Sequence, residues 1–143
     1  MLRLSIVLFS LVGVSLFITG CIYLSTDEFM PYHGDAVQMQ WEDLDANLQG
    51  LLLGLIRGLG GGALVSGASI LYMARAAMTT GARPYRILLP AVAIGYTVLL
   101  GYATYTVFDR TPANPPLLLT GVLLAMSIGA SIVLTISQPV RDD

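Results

Sequence analysis

Four apolar runs decide what this chain can become. Residues 4–24, 48–73, 87–108 and 117–137 each hold at least 21 consecutive residues with almost no charge. A helix rises about 1.5 Å per residue, so about 20 residues cross a hydrocarbon core of roughly 30 Å. Only 11% of the 143 residues are charged, where a soluble domain carries about a quarter. The mean hydropathy is +0.75. The sequence therefore predicts an all-α, integral-membrane, antiparallel four-helix bundle forming a single transmembrane domain. Little chain is left over for a soluble catalytic domain.

The first run has a second reading. Ile18-Thr19-Gly20-Cys21 follows the order of a lipoprotein cleavage box, and small residues after a short apolar stretch are what a signal peptidase reads. The apolar run, however, continues through Ile22, Tyr23 and Leu24. A retained helix is expected, with Cys21 a small buried residue. Lipidation of Cys21 is the alternative.

Residues 25–47 form the one long polar segment. It holds Asp27, Glu28, Asp35, Glu42, Asp43, Asp45 and the only histidine, His33, but no arginine. Pro31 and Gly34 are expected to break its first half. Its second half reads as a short amphipathic helix or an early start to the next span. Trp41 is placed as an interfacial anchor would be.

The seven basic residues are all arginine. With four spans, Arg3, Arg75, Arg83, Arg86 and Arg141 share one side and Arg110 lies on the other. This asymmetry predicts cytoplasmic termini, with the acidic segment outside, by the positive-inside rule. The setting expected is a bacterial inner membrane. A net charge of −2 and the lack of a basic stripe argue against nucleic acid.

Gly50, Gly54, Gly58 and Gly62 recur every four residues in the second span. On a helix this makes a groove of small residues, and such grooves let membrane helices approach closely. The ladder predicts a right-handed crossing. Gly121, Ala125 and Gly129 of the fourth span carry the matching stripe and are the favoured partner. A homodimer seam is the alternative use of the same ladder.

Arg57 is the charge within that span. Counted from Leu48 it lies about 13 Å into the membrane, where a charge is by default a functional site. Its side chain should reach back toward the acidic segment, with backbone carbonyls, Asp109 or the Glu42–Asp45 cluster as partners. Tyr96 is the deep tyrosine of the third span and needs a partner for its hydroxyl. A cavity between the second and third spans, lined by Arg57 and Tyr96, is expected. His33 with Met30, Asp35 and Met39 falls short of a metal ligand set, so His33 is expected to hydrogen-bond a carboxylate. No nucleophile–base pair, phosphate loop, metal motif or dinucleotide fingerprint is present, and no cofactor can be named.

The stretch Phe29-Met30-Pro31-Tyr32-His33, then Trp41, Leu48-Gln49, Arg57-Gly58 and Gly61-Gly62 resembles small bacterial four-span membrane proteins that are broadly DoxX-like. The resemblance covers about the middle third of the chain. It implies a four-helix inner-membrane protein and brings no catalytic residues. The function expected is an integral-membrane scaffold or accessory subunit without catalysis of its own, partnered by lipid and by other membrane proteins or further copies of itself. The alternative is a binder of a small amphipathic ligand (a quinone, lipid or pigment) near Arg57.

Overall fold

A computed structural model describes residues 1–81 and 83–137. It contains four long helices: α1 (Leu2–Ser25), α3 (Ala46–Thr80), α4 (Arg83–Arg110) and α5 (Leu117–Ile136). A short helix, α2 (Pro31–Val37), and a 3-10 turn, Trp41–Asp43, lie between α1 and α3. No strand occurs among the described residues. Each long helix is long and apolar enough to cross a membrane, so the chain is a multi-pass membrane protein.

The helices form an antiparallel bundle. Around the ring, α1 touches α3 and α5, and α4 touches α3 and α5. One end of the bundle carries the 26–45 segment and is called the cap end here. The other carries the start of α1 and the α3–α4 turn and is called the turn end.

The buried positions explain how the helices meet. On α3 one track of them, Ile56, Gly60, Ala63, Gly67, Ile70, Ala74 and Ala77, is spaced alternately four and three apart, with Met73 and Ala76 buried beside it. On α5 the same alternation runs through Thr120, Leu123, Ser127, Ala130 and Leu134. On α1 it runs through Phe9, Gly13, Leu16 and Gly20. A mean period of 3.5 is the spacing of left-handed packing between nearly aligned helices. This spacing does not support the right-handed crossing expected from the four-residue glycine ladder.

The ladder itself is largely bare. A Cβ at Gly50, Gly54 or Gly58 would meet nothing within 4 Å, and one at Gly62 would meet only the Tyr96 ring at 3.5 Å. Gly121 and Gly129 are equally open, and Ala125 is exposed. The second span therefore does not pack on the fourth through these stripes; α3 packs on α1 and α4. The close approach is made elsewhere. A Cβ at Gly67 would lie 2.6 Å from the Gly13 oxygen and the Phe17 nitrogen, and one at Gly20 would lie 2.5 Å from the Leu64 nitrogen. Backbone meets backbone there, and only glycine fits.

Ser5 adds a polar tie. Its buried hydroxyl donates to the Ala130 carbonyl at 2.7 Å, joining α1 to α5. Cys21 is exposed, not buried as expected, because α1 turns its Gly13–Leu16–Gly20 face inward.

Helix boundaries follow local chemistry. The α3 N-terminus is capped by Asp45, whose Oδ1 accepts from the Asn47 and Leu48 nitrogens at 2.9 and 3.1 Å, satisfying donors that a helix start leaves unpaired. Its C-terminus ends on Gly81, at φ +64°, a conformation that glycine adopts without steric penalty. Pro90 lies inside α4, which starts at Arg83. The expected break at Pro31 is instead a helix start. Proline suits the first helical position, where its missing N–H is not needed. Gly34 stays inside α2 because a Cβ there would lie 3.0 Å from the Phe29 ring.

The cap has its own small core of Phe29, Leu44 and Ile56, flanked by Tyr23, Trp41, Leu48 and Leu52. Trp41, expected as an interfacial anchor, stacks edge-on against Phe29 at 5.1 Å as part of this core. The cap supports the first turns of α3. At 35 residues, α3 is about 52 Å long and outruns α1 at this end.

Candidate functional site

A cavity of about 110 Å³ opens among the helices at the cap end. Thr19 and Tyr23 of α1, Leu59 of α3, Leu100 and Thr104 of α4, and Thr120 and Leu123 of α5 line its walls. Tyr32 and His33 of α2 also line it. The cavity exists because Pro115 and Pro116, which line it too, delay the start of α5, while α2 stands over the end of α1.

The polar groups divide into two sets. The threonine hydroxyls donate to their own helices: Thr19 to the Ser15 carbonyl at 2.9 Å, Thr104 to Leu100 at 2.8 Å and Thr120 to Leu117 at 2.9 Å. Their protons are committed, so toward a guest they offer only oxygen lone pairs. The α2 set supplies donors. The His33 Nδ1 accepts the Met30 backbone N–H at 3.2 Å. The neutral ring then carries its proton on Nε2. Burial pushes the His33 pKa below its ordinary 6.5, which favours this neutral form. The Tyr23 and Tyr32 hydroxyls are hydrogen-bonded to each other. One phenol proton is used in that bond and the other is spare. Burial and then this bond raise the Tyr32 pKa, so its phenol stays protonated. The His33 and Tyr32 rings lie 4.1 Å apart.

The expected site residues are not gathered here. Arg57 lies level with the end of α1. Its Nη2 is 3.6 Å from Asp27 Oδ1 and 3.4 Å from the Thr26 carbonyl oxygen. The side chain is 47% exposed and Asp27 98%, so the pair sits at the bundle surface. The helix starts at Ala46 and its first three turns stand beside the cap, which brings Arg57 level with Asp27. Asp109 pairs with Arg110, at 3.2 Å. Tyr96 donates to the Leu59 carbonyl at 3.1 Å and closes the α3–α4 seam against Gly62. Neither Arg57 nor Tyr96 lines the cavity, so the pocket expected between them is replaced by one farther round the bundle. Of the expected residues only His33 reaches it. Its ring nitrogen meets a backbone N–H, not the carboxylate expected. Among the described residues no three potential metal-ligating side chains of His, Cys, Asp or Glu type come together.

Thr19, Tyr23, Tyr32, Thr104 and Thr120 were not singled out as site residues from the sequence. A signal was present, since Tyr32-His33 is the one pairing of a phenol with an imidazole in the chain. The threonines carry no such mark among many similar apolar-run threonines. Comparison with protein-family models, with curated proteins and with solved structures gives no match.

Proposed function

We propose that this protein binds a small amphipathic ligand at the cap end of its bundle, and that it does no chemistry of its own. The observation that supports this is the cavity: apolar walls, a few convergent polar groups, and donors gathered on one side. Small-molecule sites in helical bundles have this make-up. His33 Nε2–H and the spare phenol proton of the Tyr23–Tyr32 pair suit a carbonyl or hydroxyl head. The apolar remainder lies between Leu100, Leu119 and Leu123. A volume of about 110 Å³ falls below the roughly 150 Å³ that accepts benzene in an engineered cavity. It favours the end of a lipid chain over a ring system or a large pigment. The likeness to DoxX-like proteins and a bacterial inner-membrane location belong to the same proposal. So do cytoplasmic termini, which rest on the arginine asymmetry and place the cavity in the outer leaflet.

A second reading, an accessory subunit of a larger membrane complex or homo-oligomer, is favoured by one observation. The Gly50–Gly54–Gly58 face of α3 is open to the bundle's surroundings. Purification in mild detergent followed by native mass spectrometry separates the two. Ligand binding predicts one stoichiometric small molecule on the wild type, lost in Thr104→Phe at an unchanged melting temperature. Subunit function predicts co-purifying protein and no such molecule. Retention of the same molecule by Thr104→Phe would overturn the cavity as its seat.

A further inference from the structure

The turn end of the bundle differs in charge from the cap end. Among the described residues every acidic side chain lies at the cap end, whereas Arg3, Arg75, Arg83 and Arg86 lie at the turn end. The described ion pairs are Arg57–Asp27 and Arg110–Asp109, both at the cap end, so these four guanidinium groups have no carboxylate partner among the described residues. Arg86 carries a further mark. Its Nε is buried and has no hydrogen-bond partner, and its Nη2 lies by the Gly81 turn, 3.7 Å from where a Cβ would stand. A buried, unpaired donor on a charged group is costly.

An open groove runs between α3 and α4 beside these arginines. Ala68, Ser69, Tyr72, Met73, Tyr85 and Leu88 line it. Tyr72 and Tyr85 meet edge to face at 6.2 Å at its head. Ala68, Tyr72 and Arg75 recur at i, i+4 and i+7, so they share one face of α3. Helical side chains tilt toward the helix N-terminus, which carries the Arg75 side chain back over the head of the groove.

We propose that an anionic phospholipid binds here, one acyl chain in the groove against Ala68, Tyr72 and Leu88 and its phosphate beside Arg75 and Arg86. An excess of arginine alone would follow from topology sorting. The groove goes beyond it: an apolar slot along the membrane ends at Tyr72 and Tyr85, next to the exposed Arg75 and to Arg86, so apolar lining and positive charge meet at one place. Basic pockets between membrane helices hold anionic headgroups in this way. This site is separate from the cap-end cavity, and the two readings stand or fall independently.

The test uses the full chain in detergent, titrated with phosphatidylglycerol or phosphatidylcholine of matched acyl chains and read by native mass spectrometry. Phosphatidylglycerol should be retained preferentially by the wild type. The double variant Arg75→Gln/Arg86→Gln should weaken it roughly tenfold to thirtyfold, as two near-surface arginines would, and weaken phosphatidylcholine less, because the choline cation already offsets that lipid's phosphate. Leu88→Trp should fill the groove and displace phosphatidylglycerol with both arginines intact. Arg110→Gln, at the opposite end, should change nothing. Equal retention of the two lipids by the wild type overturns the proposal. So does full retention of phosphatidylglycerol by Leu88→Trp, which would mean charge attraction without a seat. If the double variant does not fold, the lipid comparison and the Leu88→Trp arm still decide the matter.

Discussion

Divided at Leu59, the cap-side and turn-side parts of α3, its open and tight halves, use glycine in opposite ways. In the turn-side half, Gly60 and Gly67 lie against Gly20, Tyr23, Gly13 and Phe17 of α1, with room for no further atom. In the cap-side half, Gly50, Gly54 and Gly58 face empty space. The denser and more regular glycine pattern is the unused one. Leucine is as apolar as lipid, so burying leucine does not hold membrane helices together; close backbone approach and shared polar groups do. The tight contact needs glycine only where two backbones meet, and those points recur every seven residues: Gly13 and Gly20 against Gly60 and Gly67. An evenly spaced ladder marks a face that can pack closely. It does not say that a partner is there.

The largest effect should come from breaking the tight half. Gly67→Leu or Gly20→Leu places a side chain where the partner's backbone already stands. Overpacking commonly costs about 1–3 kcal/mol and sometimes more, and here no flexible side chain can yield. Loss of the folded monomer in detergent is expected, read by thermal melting and by cross-linking α1 to α3. Gly54→Leu should melt like the wild type if the open half has no partner. A drop in oligomer mass for Gly54→Leu at unchanged monomer stability would show instead that this face is a seam between chains.

Four helices and their alternating directions were legible because hydrocarbon thickness alone demands runs of that length. The seam was not, since nearly every α3 residue is apolar and polarity cannot tell a protein-facing side from a lipid-facing one. The heptad was there to be found: Gly60, Ala63, Gly67, Ala74 and Ala77 are small residues on one track of alternating three- and four-residue steps, with Ile70 completing it between Gly67 and Ala74. The ladder at Gly50–Gly62 competed with it and is more regular. Arg57 was read as deep because the span was counted from Leu48. The supporting cap, built from Phe29, Leu44 and the flanking Trp41, packs beside the first turns of α3, which apolarity alone does not show. The cavity was out of reach from sequence, because it depends on α2 folding back over α1 and on where two prolines let α5 begin.

A second prediction concerns that cap, which distinguishes the open half of α3 from bare lipid-facing helix. His33 is held neutral, with its pKa below 6.5. The unfolded cap takes up a proton first as pH falls, so stability is flat above about pH 6.5 and declines below it, by at most about 1.4 kcal/mol per pH unit for one group. Thermal melts of the wild type between pH 7.5 and 5 should show this decline. His33→Gln should flatten it. A slope that persists in His33→Gln would show that His33 is not its source.

A smaller effect is expected at the polar tie of the tight half. Ser5→Ala removes the α1–α5 hydrogen bond and leaves the Ala130 carbonyl with its own helical partner. The loss should be about 0.6–1 kcal/mol, the range of single interhelical bonds in membranes. Ser5→Cys, which keeps the shape and a weak donor, should recover part of it. A larger loss in Ser5→Ala than in a leucine substitution at Gly67 would reverse the ranking of the close α1–α3 approach over the α1–α5 hydrogen bond.

Arg57 should matter least of all to stability, although it is the most conspicuous residue in the sequence. It stands next to Gly58 on the open half of α3, 47% exposed, opposite an Asp27 that is 98% exposed. An exposed ion pair is worth about 0–1 kcal/mol, because water screens the attraction and holding the side chains costs entropy. Arg57→Met and Asp27→Asn should each shift the melting temperature only slightly, and the double variant should match the sum of the two. A buried pair would behave otherwise: removing Asp27 alone would strand the guanidinium and cost several kcal/mol, while Arg57→Met would be tolerated. Comparing the two single variants therefore measures how deep this half of α3 sits. Equal, small effects place Arg57 at the membrane surface with the cap above it. A large effect of Asp27→Asn alone would put it back inside the membrane, and the open glycine face beside it would then have to be covered by a partner.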